Sequence, residues 1–305
     1  INPHPPGIST SIIIYMDLTI LIPVKNEEDN IALIINKIES IKISFKYEIL
    51  FINDYSDDII TLCISNGVNY VDSNKKEYTI ESPYAIAISW RWIIKENNFK
   101  LIVLHDSLLP KYRGFAPLVN SLLNKEERIG VTALFASEEY DKGNIILQDE
   151  IHITYPIKIN KAIEKVSKIY VSLVCNLFKK LTKNIELTSC LQNEDEASYS
   201  LWRDEEDYFI DWKQSASFIK RFVDAVGFPY KGAKCYLNDR IIIINEVTLI
   251  NDIKIENRVA GKVVFMDDKK PVIVCAEGLI RIDQAIYEVS NETILPLQKF
   301  RVRFK

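Results

Sequence analysis

Two polar residues, His105 and Asp141, combine side-chain types that can move a proton. A carboxylate beside an imidazole favours the protonated ring and fixes its orientation, which suits the ring to acid catalysis or to stabilising negative charge. His105 is one of three histidines in 305 residues, and it follows an apolar run at 99–104 that predicts a buried strand. Asp141 lies in a polar turn after the next predicted strand, so adjacent strand ends would bring the two side chains together.

The residues beside His105 favour a functional site over a structural role. A single histidine is more often structural than catalytic. Here Asp106 and Ser107 follow immediately, which is an unusual composition for a core, and a proline–glycine turn ends the segment. The polar turn that contains Asp141, taken alone, is more simply a solvated loop.

Alternating strands and helices predict the sheet that positions these residues. The predicted strands are 18–23, 47–52, 68–71, 85–89, 101–104 and 131–135, and the predicted helices are 29–40, 57–65, 116–124 and 159–181. This alternation favours an α/β domain with a Rossmann-like, mostly parallel sheet covered on both faces. Ligands bind beyond the carboxyl ends of the strands in such sheets, which is where His105 lies.

The chain changes character after a polar stretch at 182–198 that is typical of a linker. Short β-type runs separated by turns predict a smaller β-rich, barrel-like C-terminal domain, and they lie at 240–249, 263–265, 272–274 and 279–282. We therefore expect an upstream or cloning-derived tail at 1–15, a catalytic domain at 16–190 and a C-terminal domain at 196–305.

Composition argues against several classes of function. The net charge is −4 and the hydrophobic fraction is 48%, a balance that is ordinary for a globular protein and unfavourable for a nucleic-acid surface. No apolar run is long enough to span a membrane. The five cysteines are odd in number and lack metal-ligand spacing, so we interpret them as reduced side chains of a cytoplasmic protein.

The two site segments together resemble the signature of the folate-dependent formyltransferases. HDSLLPKYRG at 105–114 precedes EEYDKGNIILQ at 138–148, and Asp141 stands 36 residues after His105, as in the family pattern. The intervening GFAPLVNSLLNKEERIGVTALF is similar to the family's helix and strand. ASYSLWRDEEDYFIDW at 197–212 is similar to the start of the second domain in its transfer-RNA and sugar enzymes, and the likeness covers most of 18–304.

The resemblance implies acyl transfer without a metal. A neutral amine attacks the formyl carbon of N10-formyltetrahydrofolate, protonated His105 stabilises the charge on the formyl oxygen, and Asp141 orients His105 and helps remove the amine proton. The family's asparagine falls at Val103, which cannot donate a hydrogen bond. Either other groups compensate for it or activity is impaired.

The resemblance also implies binding residues. Folate is expected against Arg91, Trp92, Ile93, Leu109, Glu138 and Glu139, and the acceptor substrate against Ser107, Trp202 and Arg203. Arg203 is the candidate for a diphosphate group. Core packing is an equal alternative for Trp92, and a surface ion pair with Asp204 or Glu206 is an equal alternative for Arg203.

The loop Asn53–Asp58 bears on the choice of acceptor. It is short and acidic, whereas the transfer-RNA enzymes of the family carry a basic insertion there, and acidic groups repel phosphate. The sugar-nucleotide N-formyltransferases are therefore the best match. This implies a small nucleotide-linked amino sugar as partner, as in lipopolysaccharide O-antigen synthesis, and neither nucleic acid nor membrane. A homodimer stays open, as do the sugar, the base and the amine position.

Two other functions stay open. LTILIPVKNEEDNI at 18–31 and EILFINDYSDD at 48–58 resemble the opening of family-2 glycosyltransferases, which act on nucleotide sugars with a metal. The valine at position 103 leaves a catalytically impaired binding module for folate or a nucleotide sugar as the second alternative.

Overall fold

The computed structural model describes residues 18–24, 47–53, 69–72, 80, 82–88, 98–183 and 185–305. Several sequence predictions lie outside these residues: the tail at 1–15, the helices at 29–40 and 57–65, most of the acidic loop, and the folate-binding candidates Arg91, Trp92 and Ile93.

A seven-stranded sheet forms the first architectural element. Its strands are β1 (Leu18–Val24), β2 (Tyr47–Asn53), β3 (Asn69–Asp72), β4 (Tyr84–Ile88), β5 (Lys100–His105), β7 (Arg128–Phe135) and β8 (Ile145–His152), and the two-residue strand β6 (Arg113–Gly114) lies between β5 and β7 in the chain. The strand order is β3-β2-β1-β4-β5-β7-β8. The pairs β1–β2, β1–β4, β2–β3 and β4–β5 are parallel, so the predicted Rossmann-like sheet is confirmed.

The central strands are apolar because both of their faces are covered. Ala85, Ile86 and Ala87 of β4 and Ile102 of β5 are fully buried, as is usual for a parallel sheet. Strand β8 was not predicted. Its burial alternates along most of its length, as expected for a strand at the end of the sheet with one polar face.

The described helices of this part of the chain match the predictions closely. They are α1 (Pro117–Leu123) and α2 (Ile159–Thr182). Proline at the start of α1 costs no internal hydrogen bond, because the first helical N–H groups have no partner within a helix. The buried face of α2 repeats at helical spacing, through Ile159, Ala162, Val166, Ile169, Leu173 and Leu177.

The C-terminal region contains a short helix and a five-stranded antiparallel sheet. Strand β9 (Tyr199–Ser200) and helix α3 (Ala216–Ala225) precede β10 (Ala233–Leu237), β11 (Arg240–Ile250), β12 (Val263–Asp267), β13 (Lys270–Val274) and β14 (Leu279–Tyr287). The order is β10-β11-β14-β13-β12, which confirms the predicted β-rich region.

The last residues of the chain join the two outer strands of this sheet. Lys305 exchanges backbone hydrogen bonds with Tyr236 in β10, and Phe304 N donates to Gly261 O, 2.8 Å away, just before β12. A Cβ at position 261 would lie 2.2 Å from Phe304 O, so this close approach requires glycine. These bonds give the sheet its barrel-like closure.

By compactness the chain divides into two units. One contains the residues up to Leu104 together with 134–138 and 175–188, and the other contains 105–133, 139–174 and 189–305. His105, Asp141 and the C-terminal sheet all belong to the second unit. Within the described residues, no helix has both the length and the apolar character needed to cross a membrane.

Candidate active site

His105 and Asp141 face each other. Asp141 Oδ1 lies 3.5 Å from His105 Nδ1, and the two side chains are 12% and 8% exposed. The other ring nitrogen, Nε2, lies 2.8 Å from the backbone oxygen of Tyr112. Because a carbonyl oxygen can only accept, Nε2 carries a hydrogen in this arrangement. The structure thus brings together the two residues proposed as catalytic from their type and spacing.

The backbone around Asp141 fixes the direction of its carboxylate. Asp141 Oδ2 accepts a hydrogen bond from Gly114 N at 2.8 Å. Asp141 has a φ of 57°, a left-handed conformation that aspartate tolerates better than most residues. Gly114 has a φ of 97°, and a Cβ there would lie 2.7 Å from Ser200 O. Glycine is therefore required at the position that donates to the Asp141 carboxylate.

Thr132 and Gln148 hold the loop that follows His105. Thr132 Oγ1 donates to Ser107 O at 2.7 Å and accepts from Leu109 N at 3.1 Å, while Gln148 Nε2 donates to Leu109 O at 2.7 Å. The Ser107 hydroxyl donates to Lys111 O at 2.7 Å. Ser107 and Leu109 are both buried, so in this structure they serve the loop, and their proposed roles in substrate and folate binding stay predictions.

Asp106 has a different partner from its neighbour His105. Its carboxylate accepts a hydrogen bond from the hydroxyl of Tyr170 in α2. Burial raises the pKa of Asp106 above its usual value, and burial also raises the pKa of Tyr170. Asp106 is therefore tied to α2 and contributes no hydrogen bond to the His105–Asp141 pair.

The polar stretch before the C-terminal domain is not the free linker that its composition predicted. Strand β9 pairs in parallel with β6, and Arg113 N donates to Ser198 O at 2.8 Å. The guanidinium of Arg113 is fully buried and donates to both carboxylate oxygens of Glu194, at 2.7 and 2.9 Å. These hydrogen bonds raise the pKa of Arg113 and lower that of Glu194. Polar residues of this stretch thus provide hydrogen-bond acceptors for the buried guanidinium of Arg113.

The other predicted binding residues differ from the histidine–aspartate pair in their exposure and hydrogen bonds. Trp202 is 62% exposed. Arg203 Nη1 donates to Asp207 O at 3.0 Å, while its Nε is buried without a hydrogen-bond partner among the described residues. Glu138 and Glu139 are exposed in the turn before Asp141. Their proposed contacts with ligands stay predictions.

Two aromatic residues next to the pair were missed by the sequence reasoning. Phe115 follows Gly114 and Tyr140 precedes Asp141; they are 40% and 52% exposed, and their ring centroids lie 6.2 Å apart. No periodicity marks them, since they lie on turns 25 residues apart in the chain. Exposed aromatic faces suit a flat heteroaromatic ligand such as a pterin.

Val103 has apolar surroundings. It packs, partly buried, against a cluster that contains Ala85, Ala87 and Leu101. The position that carries the family's asparagine is thus integrated into an apolar surface in this chain.

Comparison with known protein families agrees with this site and fold. Residues 66–172 match the formyl transferase family model, and residues 203–293 match that of the formyl transferase C-terminal domain. Both His105 and Asp141 lie within the first match. The chain belongs to the folate-dependent formyltransferase family.

Curated relatives of this formyltransferase include transfer-RNA enzymes. The chain is 30% identical over 213 residues to the methionyl-tRNA formyltransferase of Thermodesulfovibrio yellowstonii, which covers 68% of this chain and 67% of the relative. It is 31% identical over 178 residues to that of Lactococcus lactis, across 58% of this chain and 55% of the relative. The second alignment thus spans little more than half the length of that relative.

Solved structures share the fold at lower identity. The N-formyltransferase from Helicobacter canadensis, in complex with folinic acid and dTDP-3-aminofucose, matches with a TM-score of 0.63 at 17% identity, over 88% of this chain and 98% of that chain. Methionyl-tRNA formyltransferase from Clostridium thermocellum matches with a TM-score of 0.53 at 17% identity, over 77% and 94%. The predicted family, the formyltransferase class and the family's formyl-tetrahydrofolate donor are confirmed.

Proposed function

We propose that this formyltransferase moves the formyl group of N10-formyltetrahydrofolate to the amine of a nucleotide-linked amino sugar, in the synthesis of a surface glycan. The observation that carries the chemistry is the His105–Asp141 pair, whose Nδ1 and Oδ1 atoms lie 3.5 Å apart, with His105 at the end of β5. An imidazole held by a carboxylate can stabilise negative charge and exchange a proton within a single site.

The roles of the two residues follow from the chemistry of acyl transfer. The acceptor nitrogen forms a bond to the formyl carbon, and the bond from that carbon to N10 breaks. Both ring nitrogens of His105 face protein oxygens, Tyr112 O and Asp141 Oδ1. Protonated His105 therefore stabilises the negative charge that develops on the formyl oxygen through its positive charge. Asp141 holds the ring through Nδ1 and takes the proton that the acceptor nitrogen loses. That proton passes to N10, so that tetrahydrofolate leaves as a neutral amine.

The described residues suit the folate donor, which supplies the formyl carbon. The exposed rings of Phe115 and Tyr140 flank Gly114 and Asp141 in the chain and offer faces for a pterin. Glu138 and Glu139 lie on the turn that leads to Tyr140. Glu139 is paired with Lys142, and the two carboxylates can accept hydrogen bonds from the amino and N–H groups at the pterin edge. By the family resemblance, the other residues expected to bind the donor are Leu109 and, outside the described residues, Arg91, Trp92 and Ile93.

The acceptor is proposed from charge. The sequence Asn53-Asp54-Tyr55-Ser56-Asp57-Asp58 bears three carboxylates, and the whole chain has a net charge of −4. Nucleic-acid affinity depends on several clustered cations that release counterions from phosphates, so these carboxylates oppose transfer RNA. A nucleotide sugar carries only two phosphates. Arg203, whose buried Nε has no hydrogen-bond partner among the described residues, is the proposed cation for them. The exposed ring of Trp202 offers a face for the base.

The relatives supply a second candidate acceptor. The two curated relatives described above are methionyl-tRNA formyltransferases, so charged initiator transfer RNA is the alternative to the sugar. The acidic loop is the feature that separates the two.

The test offers N10-formyltetrahydrofolate with each acceptor in parallel. One set contains 3-amino and 4-amino sugars on dTDP, UDP and GDP, and the other contains charged initiator transfer RNA at low salt, which favours RNA binding. We expect formylation of at least one sugar and none of the RNA, with His105→Asn as the inactive control. Formylation of RNA alone would overturn the sugar assignment and leave the formyl-transfer chemistry in place.

Two further outcomes address the alternatives from the sequence. Tight binding of folate or nucleotide sugar with no turnover would indicate an impaired binding module. Metal-dependent turnover of a nucleotide sugar without folate would indicate a glycosyltransferase.

A further inference from the structure

We infer that Gln192 is a positioning residue for the His105–Asp141 pair. Gln192 lies in residues 189–200, here called the strap, which connects α2 to the C-terminal domain. The inference rests on the proposed formyl transfer, because it assigns a role in the geometry of the same site.

Gln192 uses every hydrogen-bonding position of its side-chain amide. Nε2 donates to Asp141 O at 2.7 Å and to Gly143 O at 2.8 Å, while Oε1 accepts from Arg113 Nε at 3.0 Å and from Arg113 Nη2 at 2.8 Å. An amide has two donor hydrogens and an oxygen that accepts twice. A flip of the amide would place its oxygen against two carbonyls and its nitrogen against a cation, so a single orientation is fixed.

These bonds connect the two segments that hold the catalytic pair. Nε2 binds the turn that carries Asp141, whose φ of 57° lies in a sparsely populated region. Oε1 binds Arg113, the residue after Tyr112, and the Tyr112 carbonyl is the partner of His105 Nε2. One side chain of the strap therefore relates the position of the carboxylate to the position of the imidazole.

The distance between His105 and Asp141 explains why the position of the turn should affect the rate. Nδ1 and Oδ1 are 3.5 Å apart, which is longer than a good hydrogen bond. A displacement of about 1 Å in a reacting group can cost on the order of 100-fold in rate. Loss of the bonds to the turn should change the rate through Asp141.

The strap is also held by hydrogen bonds that do not involve Gln192. An effect of Gln192 on positioning can therefore be distinguished from an effect on folding. Arg113 N donates to Ser198 O and Phe115 N donates to Ser200 O, at 2.8 and 3.1 Å. The Arg113–Glu194 pair adds two further bonds. These contacts do not involve Gln192, so the strap stays attached when the donors of the amide are removed.

The sharpest variant is Gln192→Glu. It keeps the size and the acceptor for Arg113, and it replaces the donor to both carbonyls with an acceptor. We expect kcat to fall about 10-fold to 100-fold, a larger change than the rise in KM for the folate donor, and the melting temperature to stay within a few degrees of wild type. Gln298→Glu, at an exposed glutamine of the C-terminal region, is the matched control and should change none of these values.

A readout on the substrate-free protein keeps this test independent of the acceptor. Nitrogen-15 NMR follows the ring nitrogens of His105, one of three histidines in the chain. Gln192→Glu should move the ring resonances of His105, while Gln298→Glu should not. Unchanged His105 resonances, or a fall in melting temperature with unchanged kcat, would overturn the inference. If wild type formylates no acceptor, the proposed function fails, and the NMR comparison still decides whether Gln192 positions the pair.

Discussion

Two carboxylates compete in the sequence for the role of partner to His105, and the fold separates them. Asp106 is adjacent in the chain, while Asp141 is 36 residues away. The distant carboxylate faces Nδ1 at 3.5 Å, and the adjacent one accepts from Tyr170 of α2. β5 ends at His105, and Asp106 is the first residue beyond the strand, where its side chain meets α2. Adjacency in the sequence therefore does not predict which carboxylate pairs with His105.

The environments of the two carboxylates differ as much as their partners do. The Asp141 carboxylate accepts a hydrogen bond from Gly114 N, and the Asp141 carbonyl accepts one from Gln192. Both the side chain and the backbone of Asp141 are therefore held in place. Asp106 is desolvated, and its pKa is raised. We expect the first carboxylate to govern rate and the second to govern the pH dependence of stability.

Replacement of His105 should have the largest effect. His105→Asn removes the cation that stabilises the formyl oxygen, so kcat/KM for formyl transfer should fall by about two orders of magnitude or more. Steady-state kinetics with the accepted amine measures this, and circular dichroism checks that the fold survives. His152→Asn, at a histidine that is 63% exposed, is the control. Near-normal activity of His105→Asn would remove the basis of the proposed mechanism.

Replacement of Asp141 should have a similar but more selective effect. Asp141→Asn keeps a group able to accept from Gly114 N and removes the charge beside the imidazole, so kcat should fall by about two orders of magnitude. Binding of the folate donor, measured by isothermal titration calorimetry, should change much less. A variant with wild-type turnover would mean that another group orients His105.

Replacement of Asp106 should affect stability more than rate. Its pKa in the folded protein is raised above the ordinary value of 3.8, so the stability contributed by the protonated carboxyl is complete below about pH 3.8 and is lost as pH rises through the folded pKa. Asp106→Asn stays neutral and can still accept from Tyr170. Its stability relative to wild type should therefore increase with pH across this window and then level off.

The measurement is urea unfolding of both proteins between pH 3.5 and 8. Turnover of Asp106→Asn should stay within about tenfold of wild type, because the side chain is hydrogen-bonded to Tyr170 and not to the His105–Asp141 pair. A stability difference that is constant with pH, or a loss of rate as large as that of Asp141→Asn, would contradict the separation of the two carboxylates.

The sequence predicted the parts of this molecule that leave a local pattern. Apolar runs located β1 to β5, and helical spacing located α2 within a residue of its end. The spacing of His105 and Asp141 identified the pair by family resemblance. Helix α3 was missed although Ser215 caps its first turn by accepting from Phe218 N, a signal that the sequence does carry.

The support around the pair had no comparable signal. Gln192 reaches Asp141 across 51 residues, and Arg113 reaches Glu194 across 81 residues. Bonds between a side chain and a distant backbone carbonyl follow no period, and the same polar composition describes a solvated linker. Only the packing of the strap against the loop distinguishes the two, so its role required the structure.

Replacement of Val103 should have the smallest effect on kcat. It tests the face of β5 that Val103 shares with His105. Val103 precedes His105 by two residues, so both belong to one face of β5, and Val103 packs against Ala85, Ala87 and Leu101. Val103→Asn restores the family's amide but sets it among apolar side chains, which should cost about 1–3 kcal/mol of stability. If His105 and backbone groups already stabilise the formyl oxygen, kcat should stay within about threefold of wild type. Val103→Thr, which is similar in shape and also polar, controls for the loss of packing. A tenfold or larger rise in kcat for Val103→Asn alone would show that this chain lacks a donor that its relatives use, and that the His105–Asp141 pair works below its full rate.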